Sequence, residues 1–116
     1  MTRIDVALAG RSYPIFIESG ISAHAGMHIQ GPGGDRPQVI VTDETVADLH
    51  LEKLRNGLNR AVETIILPPG EATKNWTQLE TLVERLLSFG VERGDNIIAF
   101  GGGVIGDLTG FAAAIL

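Results

Sequence analysis

From Val39 onward, short apolar runs alternate with stretches of helical periodicity, and this alternation limits what the chain can fold into. Val39-Ile40-Val41 reads as a buried parallel strand. Thr42-Asp43-Glu44 then supplies a capping segment with acidic residues near a helix start. Val46, Ala47, Leu49, Leu51, Leu54 and Leu58 are expected to line one face of that helix. Val62 to Leu67 reads as the next strand, ended by Pro68-Pro69-Gly70. Asn75 with Gln78 resembles a capping box, and Leu79, Leu82, Val83, Leu86 and Leu87 follow with helical spacing. Gly90 suits a left-handed cap at the end of that helix. Asn96 to Phe100 reads as the last strand, with residues 97–100 buried, and a further helix begins after it. The order β-α-β-α-β-α predicts an α/β fold: a Rossmann-like parallel sheet with flanking helices.

The N-terminal part reads differently. Ile4 to Leu8 alternates with period two, as a half-buried strand does, and Gly10-Arg11-Ser12 is a turn. Tyr13 to Ile17 reads as a second strand, so a β-hairpin precedes the parallel sheet. Pro14 cannot donate to a ladder and favours an edge. Ile21 to Ile29 is expected to be a short helix, and residues 31–37 a loop.

Chemistry concentrates where the last strand meets the last helix. Gly101, Gly103 and Gly106 satisfy G-x-G-x-x-G in a strand-to-helix setting. Such a turn lets backbone N–H groups approach a phosphate beside the positive end of a helix dipole. The alternative is a tight turn for close strand–helix packing. Asp107 occupies the position where a Walker A loop needs lysine, which excludes that motif. Asp107 is placed in the first turn of the last helix, where it either complements the dipole or accepts a hydrogen bond from a ligand. Asp43, at a strand's carboxyl end, can cap a helix, hold both hydroxyls of a ribose, or do both. Glu71 and Lys74 can pair with each other or reach a ligand from the end of the strand over Val62–Leu67. Trp76 at a helix start is expected to pack.

Composition narrows the partners. The chain has 116 residues, enough for one domain, and its 44% hydrophobic and 20% charged residues fit an ordinary globular domain. Fifteen glycines, against about 8 at average usage, suit a fold rich in tight connections. A formal net charge of -5 with no basic cluster argues against nucleic acid or an anionic membrane as partner. The absence of cysteine rules out disulfides and thiolate metal sites. His24, His28 and His50 form no metal set. No secretory signal or membrane-length apolar run is visible, so a cytoplasmic location is expected. The chain ends ten residues after Gly106, with a helix barely begun, as expected of part of a larger protein. Phe111, Ala112, Ala113, Ile115 and Leu116 form an apolar run expected to promote association.

Leu67-Pro68-Pro69-Gly70-Glu71-Ala72-Thr73-Lys74, followed by the run from Phe100 to Ala113 (FGGGVIGDLTGFAA), resembles 3-dehydroquinate synthase. The resemblance covers the whole chain but only the family's N-terminal, NAD-binding domain. It implies an enzyme, a lyase of the shikimate pathway, that converts 3-deoxy-arabino-heptulosonate 7-phosphate into 3-dehydroquinate and phosphate. It implies NAD as a catalytic cofactor, zinc or cobalt bound by a C-terminal helical domain outside this chain, and a homodimer or other homo-oligomer. Carried over position by position, the NAD contacts would be Asp43 at the adenosine ribose, and Gly70, Glu71 and Lys74 along the cofactor. Gly102, Gly103 and Val104, with Ile105 and Gly106, would line the pyrophosphate turn, and Asp107 would face the nicotinamide end. Pro69 stands where many members carry Asp. No catalytic or metal-binding residue is assigned within this chain, which is expected to be inactive alone. Related sugar-phosphate cyclases share these motifs, and metal-dependent glycerol and alcohol dehydrogenases share the fold and a similar turn. The GDLTGFAA run favours the synthase over the dehydrogenases.

Overall fold

A computed structural model describes residues 1–29 and 36–116. The expected loop over residues 31–37 therefore lies mostly outside the described residues. The chain opens with β1 (Thr2–Val6) and β2 (Tyr13–Ile17), paired antiparallel, and a 3-10 helix over Ile21–Met27 follows. Then come β3 (Val39–Asp43) and a helical run made of α1 (Glu44–Val46), a π-helical stretch (Ala47–Leu51) and α2 (Glu52–Leu58). β4 (Glu63–Leu67), a 3-10 turn (Glu71–Thr73), α3 (Trp76–Ser88), β5 (Ile97–Phe100) and α4 (Gly103–Ile115) complete it.

Three parallel strands stand in the order β4-β3-β5. Val41 lies opposite Ile65 on one side and Ala99 on the other. The two-residue alternation of β3 separates the cores. Val39 and Val41 face α3 and α4, packing with Leu79, Leu82, Leu86, Ile105, Leu108 and Ala112. Ile40 faces the other way, onto Leu54 and Leu58 of α2. Being covered on both faces is why Val39, Ile40 and Val41 are fully buried.

The α/β expectation and the preceding hairpin hold, with local corrections. The first strand ends at Val6 rather than Leu8, because Ser12 takes up the main chain of Leu8: its Oγ accepts from Leu8 N at 3.1 Å and donates to Leu8 O at 3.0 Å. This strand is exposed rather than half-buried, apart from Val6. Leu49 does not join the apolar face and is 70% exposed. It lies two residues from both Ala47 and Leu51, about 200° round a helix from each. Leu87 is likewise exposed, on the far side from Leu79, Leu82 and Leu86. β5 begins at Ile97 and is only partly buried, as one of the two outer strands of the described sheet. The capping box is half made: Asn75 Oδ1 accepts from Gln78 N at 2.9 Å, but Asn75 N donates to Thr73 O at 2.8 Å. Gly90 closes α3 as expected, at φ 78, with Gly90 N on Leu87 O and Val91 N on Leu86 O.

Candidate functional site

The strand order creates the site. From β3 the chain leaves onto the α1–α2 face, whereas from β5 it leaves onto the α3–α4 face. Adjacent strands whose exits diverge leave a crevice beyond their carboxyl ends, where ligands of open parallel sheets bind. Asp43 ends β3 there, the Gly101–Gly103 turn ends β5, and the Gly70–Lys74 segment leaves β4 on the same rim. Thr42 fixes the crevice wall: its buried hydroxyl donates to Phe100 O at 2.7 Å, across to β5.

The glycine turn is tight on one side and open on the other. A Cβ on Gly101 would sit 3.1 Å from the Ile105 side chain, which is the close strand–helix packing that the turn permits. At Gly102, Gly103 and Gly106 a Cβ would meet nothing within 4 Å. The packing role of the turn falls to Gly101, while the other three glycines leave open space beside the helix start. Gly102 caps α4 without a side-chain hydrogen bond, and the first bond of the helix is Gly106 N to Gly102 O at 3.0 Å. The N–H groups of Gly103, Val104 and Ile105 precede it and have no partner within the helix. Such a terminus suits a phosphate or pyrophosphate oxygen.

Around this turn the structure gathers three of the charged candidates. Lys74 Nζ lies 2.9 Å from Asp107 Oδ2 and 3.4 Å from Glu71 Oε1. The hydrogen bond and charge of Asp107, helped by Glu71, hold the Lys74 ammonium above its ordinary pKa. Asp107 itself is the fifth residue of α4, one turn deeper than expected, so it lies beyond the reach of the helix-end dipole. Its partner is Lys74 instead, and the pair ties the β4 exit to α4. The exit segment is shaped by Gly70 at φ 97, a left-handed value that favours glycine, and by Thr73, whose buried hydroxyl donates to Pro68 O at 2.7 Å. Asp43 is an N-cap: its Oδ1 accepts from Val46 N at 2.8 Å. A carboxylate has acceptor capacity beyond one such bond, so capping leaves it able to bind a hydroxyl.

Trp76 does not pack into the core. It is 78% exposed and meets the edge of Phe111 at 6.2 Å. With Leu79 and Leu108 it lines an open groove of about 490 Å³ that begins at Lys74 and Asp107. Thr42 and Thr73 were not singled out from sequence, because a buried threonine that braces a turn carries no motif. Among the described residues no group of three or more His, Asp or Glu side chains could hold a metal, and no helix is long and apolar enough to cross a membrane.

Residues 64–116 match the family model described as 3-dehydroquinate synthase N-terminal. The chain is 56% identical to 3-dehydroquinate synthase of Roseobacter denitrificans, over 97% of its own length and 31% of the relative's. The corresponding figures for Ruegeria pomeroyi are 50%, 100% and 32%, and for Mesorhizobium japonicum 45%, 97% and 31%. It thus spans about a third of the curated relatives it matches. Its fold superposes on 2-deoxy-scyllo-inosose synthase with a TM-score of 0.82, at 23% identity, over 98% of this chain and 33% of that one. A second structure of that enzyme, equally similar, is a complex with carbaglucose-6-phosphate, NAD+ and Co2+. By sequence, this chain is similar over nearly its whole length to about a third of the length of these 3-dehydroquinate synthases, and residues 64–116 match the model of the family's N-terminal part.

Proposed function

We propose that this chain is the NAD-binding domain of a 3-dehydroquinate synthase, an enzyme of the shikimate pathway that cyclises 3-deoxy-arabino-heptulosonate 7-phosphate with loss of phosphate. The observation that carries this reading is the open glycine turn at the switch point, with Gly102, Gly103 and Gly106 leaving room for a ligand against unpartnered N–H groups of α4. Gly102, Gly103, Val104, Ile105 and Gly106 hold the pyrophosphate, Asp43 a ribose, and Gly70, Glu71 and Lys74 the length of the cofactor. Asp107 positions Lys74 and faces the nicotinamide end. When bound, NAD supplies reversible oxidation of a substrate hydroxyl. The chain's own part is to bind and orient.

Metal and most substrate contacts belong, on this reading, to the part of the relatives that the chain does not span. The isolated chain is then inactive, and the whole enzyme is a cytoplasmic homo-oligomer. Sequence identity of 45–56% to synthases, against 23% to the inosose synthase, supports the synthase over a related cyclase.

Calorimetric titration of the chain with NAD tests the proposal, alongside Asp107→Ala. Saturating heat that weakens in the variant is the expected result. No heat from a sample that is folded by circular dichroism would overturn the assignment of a working cofactor site to these residues.

A further inference from the structure

Within β3 an apolar run gives way to Thr42, which is as fully buried as Val39, Ile40 and Val41 before it. Strand alternation sets Thr42 on the face of Ile40, where Phe100 packs beside Leu54 and Leu58. Valine would have the same shape there, with no hydroxyl to desolvate. Burying a hydroxyl costs free energy unless it is bonded, and this one is: Thr42 Oγ1 donates to Phe100 O at 2.7 Å. Packing alone explains the shape of the residue but not its oxygen.

The bond stands where the sheet comes apart. β3 pairs with β5 from Val39–Ile97 to Thr42–Phe100, and with β4 one residue further, to Asp43–Leu67. After Thr42 comes Asp43, whose Oδ1 is tied to Val46 N at the start of α1. After Phe100 comes Gly101, which opens the turn into α4. The helices that follow cover opposite faces of the sheet. Thr42 and Phe100 are thus the last pair of their ladder, and the side-chain bond fastens it at the point where the two walls of the crevice part.

We propose that Thr42 is a positioning residue for the cofactor: its hydroxyl sets the separation between Asp43 on one wall and the glycine turn on the other. This inference rests on the reading of the crevice as an NAD site. On that reading one molecule reaches both walls at once, with a ribose on Asp43 and the pyrophosphate on residues 102–106. A ligand held at two places tolerates little change in their spacing. Without the hydroxyl, Phe100 O loses its donor and the end of β5 settles differently against β3. The two contacts then no longer meet one molecule in register. Thr42 is wholly buried and touches no cofactor atom, so it acts through its neighbour Asp43 and its partner Phe100.

Calorimetric titration with NAD tests this, on variants that are folded by circular dichroism at the temperature used. Thr42→Val keeps the shape and removes the hydroxyl, and is expected to bind about tenfold more weakly than the parent. Thr42→Ser keeps the hydroxyl and is expected to retain most of the affinity. Thr42→Ala and Thr42→Ser differ in the hydroxyl alone. The alanine variant is expected to be the weaker by a similar factor, and this second pair decides the matter should Thr42→Val not fold. Gly57→Ala, at the far end of α2, overpacks backbone away from the crevice and is expected to lose stability while binding NAD as the parent does. Equal affinity within either Thr42 pair, or a loss in Thr42→Val no larger than in Gly57→Ala, would mean a merely structural threonine and overturn the proposal. No binding by the parent chain would overturn the cofactor reading itself, and this inference with it.

Discussion

Replacing Gly57 by alanine should destabilise the protein although glycine is a poor helix residue. Gly57 is buried near the end of α2, where the 3-10 helix Ile21–Met27 lies on it. A Cβ there would fall 2.1 Å from Ser22 O and 2.7 and 2.9 Å from Ala23 C and O. All three are backbone atoms, so no side chain can swing aside and the 3-10 helix must move by about an ångström. Overpacking of this kind costs about 1–3 kcal/mol, and alanine returns about 1 kcal/mol of helix propensity. The net loss is up to about 2 kcal/mol, or a melting temperature lower by up to about 10 °C in a domain of this size. Gly110→Ala is the matched control. It lies inside α4, its Cβ would meet nothing within 4 Å, and it should gain about 0.5–1 kcal/mol. Gly26→Ala, whose Cβ would sit 2.9 Å from Gly57 O, should fall between the two. Thermal unfolding followed by far-ultraviolet circular dichroism ranks the three. A Gly57 variant as stable as the Gly110 variant would mean that the 3-10 helix is not seated on α2, and the steric argument would fail.

Three further outcomes are expected, two at the site and one at the Arg36–Asp95 pair. Gly106→Ala should stabilise α4 by about 0.5–1 kcal/mol yet weaken NAD binding in calorimetry, because the space beside it is open to a ligand rather than packed; unchanged affinity would place the cofactor elsewhere. Asp43→Ala should cost about 1 kcal/mol of stability through loss of the cap, whereas Asp43→Asn keeps the cap and should lower only NAD affinity. Asp95 is held below its ordinary value of 3.8 chiefly by the Arg36 hydrogen bond, then by the N–H of Glu92. A lowered folded value means a contribution present above pH 3.8 and lost as pH falls through the folded value. Acid unfolding of Asp95→Asn should therefore show a flatter limb below that pH than the parent.

How much of this was legible in the sequence depends on whether local residues decide the outcome. The parallel sheet was legible because Val39-Ile40-Val41 is apolar at every position, short, and rich in β-branched residues, as a strand covered on both faces is. The cap at Asp43 and the left-handed close at Gly90 were legible because each is settled within a few residues. Leu49 misled because its neighbours at two residues' distance are apolar too, so hydrophobicity alone overfills the helix face. The seating of Gly26 against Gly57 was invisible: nothing near either residue states that two backbones separated by a strand and a helix will touch.

The candidate site divides in the same way. Its glycines carry a spacing that sequence can detect, but which of them packs and which stays open is decided by Ile105, one turn on and turned back toward Gly101. The charged residues are the more instructive case. Glu71 and Lys74 are close enough in the chain to pair with each other or to reach a ligand together, yet the shorter contact of Lys74 is with Asp107, thirty-three residues away. Asp107 reaches it because the fold sets α4 beside α3 on one face of the sheet, and because Asp107 sits in the second turn rather than at the helix end. A carboxylate at the end would have been satisfied by the dipole. One turn deeper it is free to pair with a cation, and the β4 exit delivers one. Lys74 is thereby held charged beside α4, tied to Asp107 across the two elements.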